Sequence, residues 1–165
     1  MVNNEWNINV PFIIIFAVFA AVIAYSVYSQ IEDYNLSSDP ILLELKQIFT
    51  KFFKDKKQWN GKLKKLNNKD IMKDISLYRG DKSYTLNKER VYLCLKDENN
   101  HYYPIGMLKY VLAHELAHVL CDSVGHTPEF NAIFEELLVE LTDCGIHDPS
   151  TPLIDDYCHS GDDLQ

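Results

Sequence analysis

His114 and His118 stand four residues apart with Glu115 between them, and this spacing constrains the fold more than any other feature of the chain. On an α-helix, residues i and i+4 leave the same face about one turn apart, so two imidazoles can meet one cation. The surrounding sequence agrees with a helix. Leu108, Val111, Leu112, Leu116 and Val119 recur at helical period through the motif, Pro104 opens the segment, and together they predict a helix over about 105–122. Asp122-Ser123-Val124-Gly125 then allows a turn into a second helix. There Thr127 fits the N-cap, Pro128 the first helical position and Glu129 the positive end of the dipole. Phe130, Ile133, Phe134, Leu137, Leu138 and Leu141 mark its apolar face, and Gly145 suits the position just past its end.

His114-Glu115-Leu116-Ala117-His118 is an H-E-x-x-H arrangement, in which two histidines bind Zn²⁺ and the glutamate serves as general base. A catalytic zinc site needs three protein ligands and one open position for water. His126 is the expected third ligand, because Gly125 permits an unusual backbone just before it and the second helix fixes it just after. Asp122, Glu135, Glu136 and Glu140 compete for that role, with His147 and His159 further off. The chemistry that follows is metal-assisted hydrolysis, with Glu115 carrying the proton from water to the leaving amine. Tyr102, Tyr103 and Tyr157 are candidates for an additional donor to the developing oxyanion, and the sequence selects none of them.

The rest of the chain divides by composition. From Val10 to Tyr28 no charge occurs, and nothing acidic or basic lies between Glu5 and Glu32. That length matches the roughly 20 apolar residues of a spanning helix. Trp6 at one end and Tyr25 and Tyr28 at the other fit an aromatic belt, and no Lys or Arg precedes the block as in a signal peptide. Residues 10–28 are therefore expected to be a single-pass anchor, within an N-terminal unit 1–30. A C-terminal domain on the cytosolic side is expected; it agrees with reading the four cysteines (94, 121, 144, 158), which lack disulfide spacing, as free thiols, the simplest reading. An oxidising space would allow two disulfides, and the sequence does not decide between them. After Ser38-Asp39-Pro40, a start signal, the positions Ile41, Leu42, Leu45, Ile48, Phe49, Phe52 and Phe53 predict a core-facing helix. Alternation at Ile75–Tyr78 and Tyr84–Leu86, and the run Val91–Leu95, predict short strands. Folded residues 38–158 and an acidic, disordered tail 159–165 complete the expected domain plan.

Charge limits the partners. Ten lysines against two aspartates fall between Lys46 and Lys73, whereas after Lys109 twelve acidic residues follow without one Lys or Arg. The acidic C-terminal third, which carries the motif, repels phosphate backbones, so nucleic acid is not an expected partner. The lysines read as a solvated face that could attract phosphates or lipid headgroups.

The motif His114–His118 followed by Gly125, His126 and Phe130 resembles the WLM and SprT-like zincin metalloproteases, over about residues 83–145. It departs from the usual WLM spacing, with seven residues rather than five between His118 and His126. The resemblance implies an α+β minimal zincin domain: a small sheet, an active-site helix and a following helix, here behind a transmembrane helix. It further implies a membrane-anchored zinc endopeptidase acting on protein or peptide substrates, with His114, His118 and His126 on the metal and Glu115 as base. Anchor, compact H-E-L-A-H domain and Cys-containing tail together are also similar to small proteins of large DNA viruses of eukaryotes, which implies a virion or host membrane. The alternative is a structural or scaffolding membrane protein, a minor virion component that keeps the zinc site without proteolysis, with virion or membrane-complex partners.

Overall fold

The computed structural model describes residues 10–154 and 157–159, and the chain forms two units, residues 1–35 and 36–165. Trp6 and the segment 160–165 lie outside the described residues. Helix α1 (Val10–Ser37) is apolar on all sides as far as Tyr28, and Phe12, Phe16, Phe19 and Tyr25 are all exposed. Its 27 residues from Pro11 span about 40 Å at 1.5 Å per residue, against a hydrocarbon core of about 30 Å. A membrane span and a signal sequence both have this form.

In the second unit, α2 (Pro40–Asp55) starts where Asp39 accepts a hydrogen bond from the Ile41 amide at 3.0 Å. Leu42, Leu45, Phe49 and Phe52 form its buried stripe. A 3₁₀ segment (Gly61–Asn68) and the short α3 (Ile71–Asp74) lead to a three-stranded sheet of β1 (Ser76–Arg79), β2 (Tyr84–Leu86) and β3 (Arg90–Leu93). The strand order is β1-β3-β2, with β1 parallel and β2 antiparallel to β3. Leu77 and Thr85 both lie opposite Val91, so one face carries Leu77, Val91 and Leu93 into the core. The other carries Tyr78, Tyr92 and Tyr84, whose rings stack with centroids 5.2 and 4.6 Å apart. Leu86 to Glu89 turns β2 into β3 through a 3.1 Å Glu89 N–H···O=C Leu86 bond, with Asn87 and Lys88 both at positive φ (53° and 59°). Two left-handed central residues make this a type I′ turn, whose twist suits a hairpin.

Helix α4 (Ile105–Leu120) is the axis of the unit. Every residue from Val111 to Ala117 is buried, which exceeds what a one-faced surface helix requires. The sheet covers one side and α5 (Pro128–Asp143) the other, through Phe130, Ile133, Leu137 and Leu141. Thr127 caps α5 by accepting from the Phe130 amide, and Gly145 has φ +69° at its end, as the sequence predicts.

The cysteines differ from the free-thiol expectation. Cys94 and Cys158 form a disulfide across 64 residues, with Cα atoms 6.3 Å apart, while Cys121 is a buried and Cys144 an exposed thiol. Spacing could not announce a bridge that depends on where the C-terminal segment returns. That segment docks closely: Tyr157 is buried, its hydroxyl donates to the Cys94 carbonyl at 2.6 Å, and the Cys158 amide donates to Tyr103 Oη at 3.2 Å. Cys94→Ser should therefore destabilise the domain by about 2–5 kcal/mol in denaturant titrations. For α1, the full chain should remain with membranes on alkaline carbonate extraction; release into the supernatant would indicate a removed signal sequence instead.

Candidate metal centre

Helix α4 supplies His114 and His118 from adjacent turns, and the loop after it returns His126 to them. Gly125 makes that return with φ +82°. Three contacts fix the loop. Ser123 Oγ donates to Glu129 Oε2 at 2.8 Å, Lys88 Nζ donates to the Cys121 carbonyl at 2.5 Å, and Lys65 pairs with Asp122. Lys88 and Lys65 thus sit where the carbonyl end of α4 is negative.

The three rings converge through their Nε2 atoms. His126 Nε2 lies 3.0 Å from His114 Nε2 and 3.2 Å from His118 Nε2. Ligand nitrogens on a tetrahedral zinc, at bonds of about 2.0–2.1 Å, stand about 3.3–3.4 Å apart, so the set fits a single ion with little adjustment. A proton can bridge one pair of these nitrogens, whereas a cation engages all three at once. Burial, and then the neighbouring His118 and His126, push the His114 pKa down to about 3. His114 therefore offers a lone pair throughout the physiological range without first losing a proton. Phe130 backs the cluster, stacked on His118 with centroids 4.2 Å apart and 4.9 Å from His114.

Glu115, between the two histidines of α4, reaches β2. Its side chain is only 4 % exposed, and Thr85 Oγ1 stands 2.8 Å from its Oε2. Histidines and glutamate share a cleft of about 530 Å³, bounded by Ser83, Thr85 and Lys88 on one side and by Ser123 and Val124 on the other. This arrangement can hold a divalent cation, admit a ligand from solvent and offer a carboxylate beside it.

The structure brings together His114, Glu115, His118 and His126, and leaves the competitors elsewhere. Asp122 is exposed, and its bond to Lys65 holds its carboxyl below the usual range. Glu136 accepts from the Lys62 amide at 2.7 Å, Glu140 pairs with Lys56, and Glu135 is exposed on α5. His147 lies against the Tyr110 ring, and the His159 side chain lies outside the described residues. None of the three tyrosines proposed as oxyanion donors lines the cleft. Tyr102 donates to Asp39 at 3.1 Å, Tyr103 accepts from Cys158, and Tyr157, its pKa raised mainly by burial, bonds Ser83 and Cys94. Sequence reading missed Thr85 and Lys88, which reach the site from β2 and its turn; the alternation of Tyr84-Thr85-Leu86 was the available signal, since it turns Thr85 inward.

Comparison with known proteins gives viral relatives. Uncharacterised protein 136R of Invertebrate iridescent virus 6 is 41 % identical over 119 residues, which are 70 % of this chain and 67 % of that protein. The chain belongs to the family of that iridovirus protein. Uncharacterised protein 042R of Invertebrate iridescent virus 3 is 39 % identical over 99 residues, 59 % of this chain and 62 % of that protein. Uncharacterised protein R325 of Acanthamoeba polyphaga mimivirus is 32 % identical over 111 residues, 66 % of this chain and 54 % of that protein. The chain thus spans from about half to two thirds of the length of these relatives. No family model and no solved structure matches it.

Two measurements check the centre. Purified protein should carry one divalent ion per chain by elemental analysis, lost on His126→Ala and kept on Asp122→Ala. Metal-free protein should lose thermal stability as the pH falls from about 6.5 toward 3, since the unfolded His114 binds a proton that the folded one refuses; His114→Asn should flatten that slope.

Proposed function

We propose that this is a membrane-anchored, zinc-dependent endopeptidase. The observation that carries the reading is the convergence of three Nε2 atoms on one solvent-open cleft that a buried glutamate also lines. Three neutral nitrogen donors suit zinc and leave its charge undiminished. Bound there, zinc supplies an acidified water and polarises a substrate carbonyl.

The remaining work falls to the chain's own residues. His114, His118 and His126 occupy one side of the centre, which leaves the cleft side for substrate. Glu115 accepts the proton released from water and returns it to the leaving nitrogen, a transfer worth about 10²–10⁴-fold in rate. Phe130 excludes water from behind the histidines, where a low-polarity wall strengthens the electrostatics of the site. Lys88 and the loop contacts of Glu129 fix the third histidine. The acidic C-terminal third of the chain favours a protein or peptide substrate over nucleic acid. Helix α1 would hold the enzyme at a host or virion membrane, with α4 and α5 built as a minimal zincin domain.

The experiment is Glu115→Gln, assayed on casein and on a quenched-fluorescent peptide library with full-length protein in detergent. Hydrolysis should fall by about 10²-fold or more while zinc content stays at one per chain. A scaffolding protein that uses the same centre for architecture would show no hydrolysis before the substitution and no change after it.

A further inference from the structure

We infer that Thr85 is the positioning residue for Glu115, an inference that rests on Glu115 being the general base. The Thr85 hydroxyl stands 2.8 Å from Glu115 Oε2 and 3.1 Å from the Glu115 backbone carbonyl. It has one proton to donate, and the side-chain oxygen is the nearer acceptor. Glu115 is only 4 % exposed, and buried polar groups of this kind are held by hydrogen bonds such as this one. The bond also fixes the rotation of the carboxylate plane, and with it the direction from which Glu115 meets a proton.

Thr85 is itself held firmly. As a β-branched residue it has a restricted χ1. It pairs with Val91 in the sheet, and Val91 is fully buried. Two residues earlier, Ser83 Oγ accepts from the Cys94 amide at 3.0 Å and lies 2.7 Å from Tyr157 Oη. Three residues later, Lys88 reaches from the type I′ turn to the Cys121 carbonyl at the end of α4. Strand β2 is thereby fastened on both sides of Thr85, and the sheet is tied to the helix that carries the base. A catalytic carboxylate gains from such support when its supporting group is rigid.

The test compares Thr85→Val, which keeps the shape and removes the hydroxyl, with Thr85→Ser, which keeps the hydroxyl and removes the methyl. In full-length zinc-loaded protein acting on casein-derived quenched peptides, Thr85→Val should lower kcat about 10- to 100-fold with little change in KM, and Thr85→Ser should retain most of it. Zinc content should be unchanged in both. Independently of turnover, the infrared carboxylate band of Glu115, assigned by its loss in Glu115→Gln, should shift in Thr85→Val and return in Thr85→Ser. If Thr85→Val does not fold, Thr85→Ala against Thr85→Ser makes the same comparison. Wild-type kcat in Thr85→Val while Glu115→Gln is inactive would overturn the positioning role and leave the base intact. Equal loss in Thr85→Val and Thr85→Ser would reduce Thr85 to packing and likewise overturn it. If Glu115→Gln hydrolyses as the wild type does, the base reading is what fails, and an unshifted infrared band in Thr85→Val then removes the hydrogen bond as well.

Discussion

The burial of α4 on nearly every side is the constraint from which the rest of the domain follows. A helix wrapped by a sheet and a second helix has no freedom to rotate, so the side chains it points at the cleft opening are fixed in direction. His114, Glu115 and His118 occupy that opening. Dense packing makes such an axis resistant to small displacements, and a metal-binding set tolerates displacement poorly. Leu108, Val111, Leu112 and Leu116, none of which faces the cleft, are therefore as much a part of the centre as the histidines.

The polar groups around the opening are arranged in opposition. On the ring side, burial and mutual repulsion keep His114 uncharged, and Phe130 and Phe134 surround it with apolar surface. On the β2 side, Glu115 meets a hydroxyl, and lysines at the end of α4 meet carbonyls. One wall is thus suited to a cation held by neutral donors, and the other carries a carboxyl group hydrogen-bonded by a hydroxyl. The loop from Asp122 to His126 joins the two walls, braced by Glu129 from one helix and by Lys65 and Lys88 from outside both.

Much of this was legible in the sequence because it is local. The i, i+4 histidines, the Thr127-Pro128 start, the left-handed glycines 125 and 145 and the stripe of α2 all act through neighbouring residues, whose spacing the chain displays directly. The three short strands were also visible, two as alternation and one as a β-rich run, but their order was not, since pairing β1 with β3 depends on contacts across the fold. The same limit hid the Cys94–Cys158 bridge and the Thr85–Glu115 contact, whose partners lie 64 and 30 residues apart. Tyr102, Tyr103 and Tyr157 were misleading for the same reason: packing commits their hydroxyls elsewhere. With Cys94 and Cys158 joined, unpaired thiols no longer speak for the cytosolic side, because disulfides persist chiefly in oxidising spaces.

The docking of Tyr157 beneath β2 also orders events in time. A growing chain that has emerged through α5 already contains all three histidines and Glu115, yet it lacks the phenol that braces Ser83. The wall opposite the histidines is consequently finished by residues that follow α5, and it is locked only after two sulfurs have met an oxidant. Assembly of the ligand set and completion of the cleft are separate steps in the life of this protein.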